Sequence, residues 1–461
     1  MIGQRVTTAV VGNVLPLVAS FVTVPILAQS LGVVGRGEVG AATAPLLLML
    51  NAATAGIPEA MTYYIAKRHM PLRRLAGNGI LLLFGLGIVA TAVIVAASSF
   101  IAGGEAELAL LVTVAALAIA PSLVVSGLRA IAAGLDAWSV ITAERLLVAL
   151  SRLGGIVGLL LIGHLDVVSA TAVIAGSLVL GSLAYLPLLG RGMSSKRGSA
   201  AAAASTPFSV TALFVYGGRF WIGSAAGIML SRVDQMLMVP LSSTYELGLY
   251  AVAVSVAELP LVINSAIRDV MFTAESQSAD DQRLTAGARI SNLLTAVAAL
   301  GVAILSLLFF EALFGSEFLP ALPLTIVLLL AVVLGNHGSI AGIGLSARGR
   351  PGLRSAAECL GLVVNVMLVL ALVPPLGAMG AAVATVVGGV AAAIWNLSAL
   401  NRVYGVSWSL MLGVRRSDIV LMVDTAKRLI RRSQPHRDPE YAAVDSGRSS
   451  TDSTFGGTGE P

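Results

Sequence analysis

The 461-residue sequence has little charge, a single cysteine and none of the residue patterns that mark an enzyme. Only 11% of its residues are charged, whereas a soluble domain carries about 25%. The one cysteine, Cys359, excludes an internal disulfide, and the four histidines show no metal-ligand spacing. No Gly-rich phosphate loop, Ser-His-Asp set or nucleotide-binding domain is present. These absences argue against an enzyme, a bound metal and a cofactor.

The sequence is instead rich in long apolar stretches. Hydrophobic residues make up 57% of the chain and the mean hydropathy is +0.90, which together predict a polytopic membrane protein. A membrane-spanning helix needs about 20 apolar residues. Twelve such stretches can be counted, and the predicted fold class is all-α with about twelve transmembrane helices. They are centred on residues 6–30, 40–65, 77–101, 108–133, 140–163, 167–189, 211–240, 247–271, 287–310, 320–345, 355–374 and 377–400.

Basic residues are concentrated in alternate connections between these stretches. The pI of 9.6 is compatible with nucleic-acid binding, but the basic residues are not spread like a binding face, so no nucleic-acid partner is expected. Lys and Arg stay on the cytoplasmic side of membrane proteins. The remaining connections are acidic or neutral apart from Arg36, which predicts that both termini are cytoplasmic. The basic connections contain Lys67, Arg68, Arg73 and Arg74, then Arg191, Lys196 and Arg197, then Arg283, and finally Arg348, Arg350 and Arg354.

The chain divides near its midpoint into two halves that resemble each other weakly. "LGVVGRGEVGAATAPLLLML" (31–50) follows the first apolar stretch as "LSSTYELGLYAVAVSVAELP" (241–260) follows the seventh. Repeats related by a pseudo-two-fold axis along the membrane normal are typical of transporters, and they predict a central cavity between two lobes. The predicted units are a six-helix lobe at 1–190, a cytoplasmic linker at 191–207, a six-helix lobe at 208–402, a juxtamembrane amphipathic segment at 403–432 and a disordered tail at 433–461. The alternative for the juxtamembrane segment is a basic stop-transfer cluster.

Ionisable residues within membrane helices are rare and usually face a bundle interior or a water-filled cavity. In the fifth stretch, Arg145 and Arg152 are seven residues apart and share one helix face, about 10 Å apart along the axis. Two guanidinium groups on one face predict an anion site, and Arg suits phosphate because its donors form a planar fork. Alternatively, Arg145 lies at the membrane interface, where it pairs with Glu144 or extends to water.

The seventh stretch contains Arg219, Arg232 and Asp234. Arg232 and Asp234 are two residues apart, so they point to nearly opposite sides of a helix and need partners elsewhere. One interpretation is a cationic cavity with Asp234 as a gate or proton site, and the other is structural ion pairing between helices. Glu258 in the eighth stretch is open to the same two interpretations, as is Glu59, which follows a helix-breaking proline in the second.

Several stretches resemble the polysaccharide-export flippases of the MOP (multidrug/oligosaccharidyl-lipid/polysaccharide) superfamily. "LGVVGRGEVGAATAPLLLMLNAATAGIPEAMTYYIAKR" resembles the first signature of that family through GRGE at 35–38 and GIPE at 56–59. "VDQMLMVPLSSTYELGLYAVAVSVAEL" resembles its seventh-to-eighth span passage through Asp234, Gly248 and Tyr250. The similarity covers about residues 1–405 and lies in the order and spacing of the motifs.

The resemblance implies twelve helices in two lobes around a central cavity. It also implies alternating-access flipping of a polyprenyl-diphosphate-linked oligosaccharide across the bacterial cytoplasmic membrane, with a polysaccharide polymerase and other assembly proteins as partners. In related peptidoglycan-precursor flippases, cavity arginines hold the diphosphate. By their own placement, Arg152, Arg219, Arg232 and Arg145 are the substrate-binding candidates, and Asp234, Glu59 and Glu258 are the candidates for gating or ion coupling.

Three other functions stay open. A multidrug or cation antiporter of the same superfamily would rely on carboxylates such as Glu59, Asp234 and Glu258, and the excess of interior arginine argues against it. A membrane polymerase or ligase would need a large outer loop, whereas the outer connections are short. The third alternative is a non-transporting scaffold for glycan assembly. The buried charges argue against it, because a scaffold has no need of charged residues within the membrane.

Overall fold

The computed structural model describes residues 2–67, 72–187, 210–413 and 415, and within these ranges the chain is helical and contains no strand. The predicted fold class, an all-α polytopic membrane protein, is confirmed. The predicted linker at 191–207, the tail at 433–461 and nearly all of the amphipathic stretch at 414–432 lie outside the described residues.

Apart from the stretch between Leu180 and Val210, the described helices follow one another with short connections, and 3₁₀ turns occur at Gly181–Tyr185 and Ser316–Phe318. In the first half they are α1 (Ile2–Ala52), α2 (Ile57–Ala66), α3 (Leu72–Ile101), α4 (Ala106–Ala116), α5 (Ile119–Gly134), α6 (Trp138–Leu161) and α7 (Val167–Leu180). In the second half they are α8 (Val210–Leu241), α9 (Thr244–Ala257), α10 (Leu261–Gln277), α11 (Asp281–Phe314), α12 (Ala321–Ala347), α13 (Pro351–Leu376), α14 (Ala378–Tyr404) and α15 (Trp408–Met411).

Each of the twelve predicted stretches falls mainly on helix within the described residues, but the number of membrane spans is not confirmed as twelve. By length and composition, eight described helices can cross a membrane, or nine if the bent pair Val210–Gly218 and Trp221–Leu241 forms one span. The difference has physical causes. The first two stretches run together in α1, the eighth is divided between α9 and α10, and α6 carries three charged residues.

Two breaks divide the first pair of stretches. Gly32 has φ 67° and ψ −175°, outside the helical region, and a residue without a Cβ adopts that conformation readily. Ala55 (φ 49°) and Gly56 (φ 72°) then separate α1 from α2, whose first turn contains Pro58. The helix break predicted beside Pro58 is therefore present, since proline is well tolerated in a first turn but not in a helix interior.

Side chains cap several helices at the connections. Ser243 accepts a hydrogen bond from the backbone N–H of Glu246 at the start of α9, and Asp280 accepts from Gln282 and Arg283 at the start of α11. Asp166 caps the start of α7, where a hydrogen bond from the backbone N–H of Ser169 lowers the pKa of the Asp166 carboxyl group. These caps satisfy amide groups that have no partner within the helix, which fixes where each helix begins.

Within each half the helices pack mainly on one another. In the first lobe, α1 packs on α6 and α7, and α5 packs on α2 and α3. In the second lobe, α14 packs on α12 and α13, and α13 packs on α8. The lobes meet where α1 contacts α8 and α9, and where α2 contacts α8. These helix pairs form the main interface between the described parts of the two lobes.

One close contact between the lobes is formed by Val33, Gly37, Thr244 and Gly248, here called the outer seam. An added Cβ on Gly37 would lie 1.8 Å from the carbonyl oxygen of Thr244, and one on Gly248 would lie 2.0 Å from that of Val33. Gly37 corresponds to Gly248, and Val33 to Thr244, with one common offset of 211 residues. The reciprocal contact is what a pseudo-two-fold axis between the lobes produces.

Alanine at either seam glycine is expected to force α1 and α9 apart. A Cβ closer than 3.0 Å to a backbone oxygen cannot be accommodated without movement of the helices. Overpacking of this kind costs about 1–3 kcal/mol, so thermal unfolding of Gly37→Ala or Gly248→Ala in detergent should begin several degrees below that of the parent. Gly301→Ala in α11, where nothing lies within 4 Å of the added Cβ, is the matched control. Equal unfolding temperatures for all variants would contradict the seam.

Candidate functional site

A cavity of about 900 Å³ lies between the two lobes. The first lobe supplies the end of α1 together with α2 and α5, and the second lobe supplies α8, α10, α13 and the last turn of α12. These segments adjoin the basic connections around Lys67 and Arg348, at the end of the molecule opposite the outer seam. The cavity is therefore closed on the outer side and faces the side that the basic residues predict to be cytoplasmic.

Charged side chains from both lobes line the cavity. Arg129 comes from α5 of the first lobe, whereas Arg268 and Arg354 come from α10 and α13 of the second. Two carboxylates, Glu59 and Glu358, also line it, so the three arginines leave an excess of one positive charge on the lining. Guanidinium groups on opposite walls can donate hydrogen bonds to one anion held between them.

Arg129 is held in place by a buried carboxylate. Its Nε donates to Glu144 Oε2 at 2.9 Å and its Nη2 donates to Glu144 Oε1 at 2.6 Å, which is a bidentate pair. The Tyr185 hydroxyl donates to the same carboxylate at 2.9 Å. The side chain of Glu144 is 3% exposed and that of Arg129 is 46% exposed. Glu144 thus lies behind Arg129 and orients its guanidinium, while the arginine itself faces the cavity.

On the opposite wall, Arg268, Arg354 and Glu358 interact electrostatically with one another. Arg354 Nε lies 3.9 Å from Glu358 Oε1, one helical turn along α13, and the two side chains are 31% and 24% exposed. At that distance the pair is at the limit of an ion pair, so it leaves most donors of Arg354 available. Arg268 contributes a second positive charge to the same wall.

Neutral polar groups surround the charges. Asn51, Thr62 and Ser126 lie on the first-lobe wall. Ser224 and Ser355 lie on the second. Trp221 also lines the cavity and is anchored across the lobes, because its Nε1 donates to the carbonyl oxygen of Ala52 at 2.8 Å. Such a lining suits a hydroxyl-rich ligand with an anionic group.

Of the residues predicted from the sequence, only Glu59 lies on this lining, where it is exposed. Arg152 lies between α6 and α1 and donates from Nη2 to the Ser20 hydroxyl at 2.5 Å. Arg145 is exposed on α6, outside the lining. Arg219 belongs to α8, and its side chain lies outside the described part of the chain. The predicted roles of these four residues stay predictions.

Arg232 and Glu258, which were predicted separately, pair with each other. Arg232 Nη2 lies 3.1 Å from Glu258 Oε1, and the side chains are 30% and 39% exposed. Arg232 is four residues beyond Ile228 of the lining and therefore lies on the same face of α8, one turn closer to the outer seam. The ion pair thus lies next to the deep end of the cavity, within the second lobe.

Asp234 lies away from the cavity among three second-lobe helices. Its side chain accepts hydrogen bonds from the Tyr250 hydroxyl on α9, from the Thr385 hydroxyl on α14 at 3.1 Å, and from the backbone N–H of Gln235 at 2.7 Å. Asp234 is 2% exposed and Tyr250 is fully buried. The carboxylate therefore joins α8, α9 and α14 through hydrogen bonds in the lobe interior.

The sequence analysis did not select Arg129 and Glu358. Both lie within predicted spans, where an ionisable residue often indicates a functional site. Arg354 was assigned to a connection, whereas Pro351 begins α13 and places it on the cavity wall. Arg268 of α10 lies on the same wall. Glu144 was expected to pair with Arg145 if at all, but its ion pair is with Arg129 on a neighbouring helix.

Glu144→Gln is expected to lower the free energy of unfolding by about 1–3 kcal/mol, because it leaves Arg129 without its counter-charge in a site that water only partly screens. Tyr185→Phe removes one hydrogen bond but keeps the ion pair, so it should cost about 1 kcal/mol or less. Thermal unfolding in detergent measures both. A Gln variant as stable as the parent would contradict the orienting role of Glu144.

The fold resembles that of solved membrane-transporter structures. A multidrug-resistance MATE family transporter of the MOP superfamily, in an inward-facing conformation, matches with a TM-score of 0.66 at 17% identity over 84% of this chain and 96% of its own. The lipid II flippase MurJ, in an inward closed conformation, matches with a TM-score of 0.65 at 13% identity over 86% of this chain and 87% of its own. The TM-scores show a shared fold, and at these low sequence identities they show the fold alone.

The sequence comparison identifies the family. Residues 2–277, more than half of the chain, match the family described as polysaccharide biosynthesis protein, and the chain belongs to that family. Over 180 residues it is 29% identical to the probable low-salt glycan biosynthesis flippase Agl15 of Haloferax volcanii. That alignment spans 38% of this chain and 38% of the relative's own length.

Proposed function

We propose that the protein is a flippase that moves a polyprenyl-diphosphate-linked oligosaccharide across the cytoplasmic membrane of a bacterium for surface polysaccharide synthesis. The observation that carries the proposal is the interlobe cavity, where Arg129 of one lobe faces Arg268 and Arg354 of the other. Membership of the polysaccharide biosynthesis family and the partial similarity to a glycan biosynthesis flippase support it.

Each part of such a lipid has a matching environment. The diphosphate is held between the guanidinium groups, the sugars contact the hydroxyl and amide groups of the lining, and the polyprenyl tail remains in the bilayer. Because the arginines belong to different lobes, a bound diphosphate draws the inner ends of the lobes together. The diphosphate thus contacts both lobes better when their inner ends are close together. Its binding therefore favours closure on the inner side and opening of the outer seam, which is alternating access.

The predicted residues outside the lining keep proposed roles in this cycle. Arg145, Arg152, Arg219 and Arg232 are further cations that the diphosphate meets as the lobes rearrange. Asp234 and the Arg232–Glu258 pair are proposed to act in ion coupling or gating, together with Glu59. The basic connections support cytoplasmic positions for both termini as part of this proposal, and a polysaccharide polymerase is the expected partner on the outer side.

Mass spectrometry of polyprenyl-linked lipids tests this proposal and identifies the cargo. A strain that lacks this chain is compared with the intact strain and with one complemented by the wild-type protein. Accumulation of one diphosphate-linked oligosaccharide, together with loss of one surface polysaccharide, is the expected result. An unchanged lipid profile in a strain without a second flippase would contradict the proposal.

A multidrug or cation antiporter is the second candidate, and one observation favours it. Glu59 and Glu358 place two carboxylates on the cavity lining, where an organic cation would need them. Efflux of a fluorescent organic cation from proteoliposomes separates the two functions. Proton- or sodium-driven efflux that Glu59→Gln and Glu358→Gln abolish would favour the antiporter, whereas absence of efflux favours the flippase.

A further inference from the structure

Arg36 is the one basic residue on the outer side of the predicted topology, and the cavity lining does not include it. It lies in α1 next to Gly37 of the outer seam. An added Cβ at Gly40 would lie 3.8 Å from Arg36 Nη1 and 3.6 Å from the side chain of Leu247 on α9. The guanidinium of Arg36 therefore lies between the lobes at the closed seam.

In the closed seam this guanidinium is poorly satisfied. Its Nε is buried with no hydrogen-bond partner among the described residues, and no carboxylate of the described ranges lies within ion-pair distance of it. Arg129 and Arg232, by contrast, each have a carboxylate partner. A cation without a partner inside a membrane protein is unfavourable, so its presence needs a partner in another state of the molecule.

Arg36 lies on the helix face that leads to the cavity. Leu50 and Asn51 of the lining are fourteen and fifteen residues further along α1, about four turns and roughly 22 Å along the axis. Separation of the lobes at the outer seam would therefore join Arg36 to the same interlobe space that now holds the cavity arginines.

Acidic residues lie close to Arg36. Glu38, two residues further along α1, interacts electrostatically with Glu105 and Glu107 at the start of α4. An anion held at Arg36 would therefore lie near like charges, and their repulsion favours its release.

We infer that Arg36 is a second phosphate site, which forms when the outer seam opens and holds the diphosphate of the cargo before release. The inference rests on the proposed flippase function, since it assigns the outward-facing site for the same substrate. The inward-facing state would bind through Arg129, Arg268 and Arg354, and the outward-facing state would bind through Arg36.

Binding of undecaprenyl diphosphate to detergent-solubilised full-length protein tests the two sites separately. Gly248→Leu, whose side chain cannot fit against the Val33 carbonyl oxygen, supplies a protein biased toward the open seam. In the Gly248→Leu protein, Arg36→Gln should weaken binding of the diphosphate about 10-fold or more, because the open seam forms the site and the variant removes one charge-assisted contact from it. In the parent, where the seam is closed and the site is absent, the same variant should weaken binding less than about 2-fold. Arg129→Gln should show the opposite pattern.

Arg36→Lys is the folding control. It keeps the charge, so it should bind within about 3-fold of the Gly248→Leu parent, and gel filtration shows whether each variant is monodisperse. Equal effects of Arg36→Gln in both backgrounds, or no effect in the Gly248→Leu background, would overturn the second site while leaving the proposed function intact. Failure of every protein, the parent included, to bind the diphosphate would overturn both.

Discussion

Replacing Arg129 and Arg354 together with glutamine is expected to weaken binding of undecaprenyl diphosphate about 100-fold or more. A hydrogen bond to a charged group contributes about 1.5–3 kcal/mol, and 1.4 kcal/mol corresponds to a factor of ten in affinity. The two residues come from opposite lobes, so the double variant removes one contact from each wall. Each single variant should lose about 10-fold. Titration of the solubilised protein with the lipid measures the dissociation constants.

Arg402→Gln is the matched control for these variants. Arg402 is an exposed arginine in the last turn of α14 and does not line the cavity. Its loss changes the net charge as much as either single cavity variant does, so a general attraction between a basic protein and an anionic lipid would affect all three alike. Equal losses for Arg402→Gln and Arg129→Gln would argue against a defined phosphate site.

Replacing Asp234 with asparagine is expected to remove the dependence of transport on a cation gradient while lipid binding stays within about 3-fold of the parent. Asp234 is the ionisable group among three helices of the second lobe, and it lies away from the lining. Only the carboxylate can take up a proton or a metal cation there. A coupling free energy is typically 1–3 kcal/mol, so gradient-driven transport in proteoliposomes should fall about 10-fold.

Thr385→Val and Asp234→Ala distinguish ion coupling from a structural role. Thr385→Val removes one hydrogen bond to the carboxylate but keeps its charge, and gradient dependence should persist. Asp234→Ala removes the carboxylate that accepts from the buried Tyr250 hydroxyl and from Thr385, and it should lower the free energy of unfolding by about 1–3 kcal/mol. If Asp234→Asn transports with the gradient dependence of the parent, Asp234 serves only to join the helices.

The helices were predictable because few backbone structures other than a helix are stable in lipid. A chain without water around it must satisfy its backbone internally, so length and hydropathy locate the helices with few competing interpretations. The break before α2 was also predictable, because Pro58 disfavours a helix that continues through it, and the backbone at Ala55 and Gly56 leaves the helical region there. The common offset that relates Gly37 to Gly248 has a weak counterpart in the sequence, where 31–50 resembles 241–260.

The cavity residues were harder to predict because a charge inside a membrane does not reveal what it faces. Arg232 and Asp234 were recognised as interior residues, but their partners, Glu258 and Tyr250, are set by how α8 packs on its neighbours. Arg129 lies in an apolar stretch that has the composition of an ordinary membrane span. Its importance depends on Glu144 lying behind it, and no local pattern in either helix encodes that contact.

Flipping of a polyprenyl-diphosphate oligosaccharide in proteoliposomes tests the central claim most directly. Purified full-length protein is reconstituted with the lipid in both leaflets, and an impermeant glycosidase is then added outside. With the parent protein, inner-leaflet lipid should become cleavable over time, whereas with Arg129→Gln/Arg354→Gln only the outer-leaflet share should be cleaved. Cleavage confined to the outer leaflet with the parent protein, under every imposed gradient, would contradict the account.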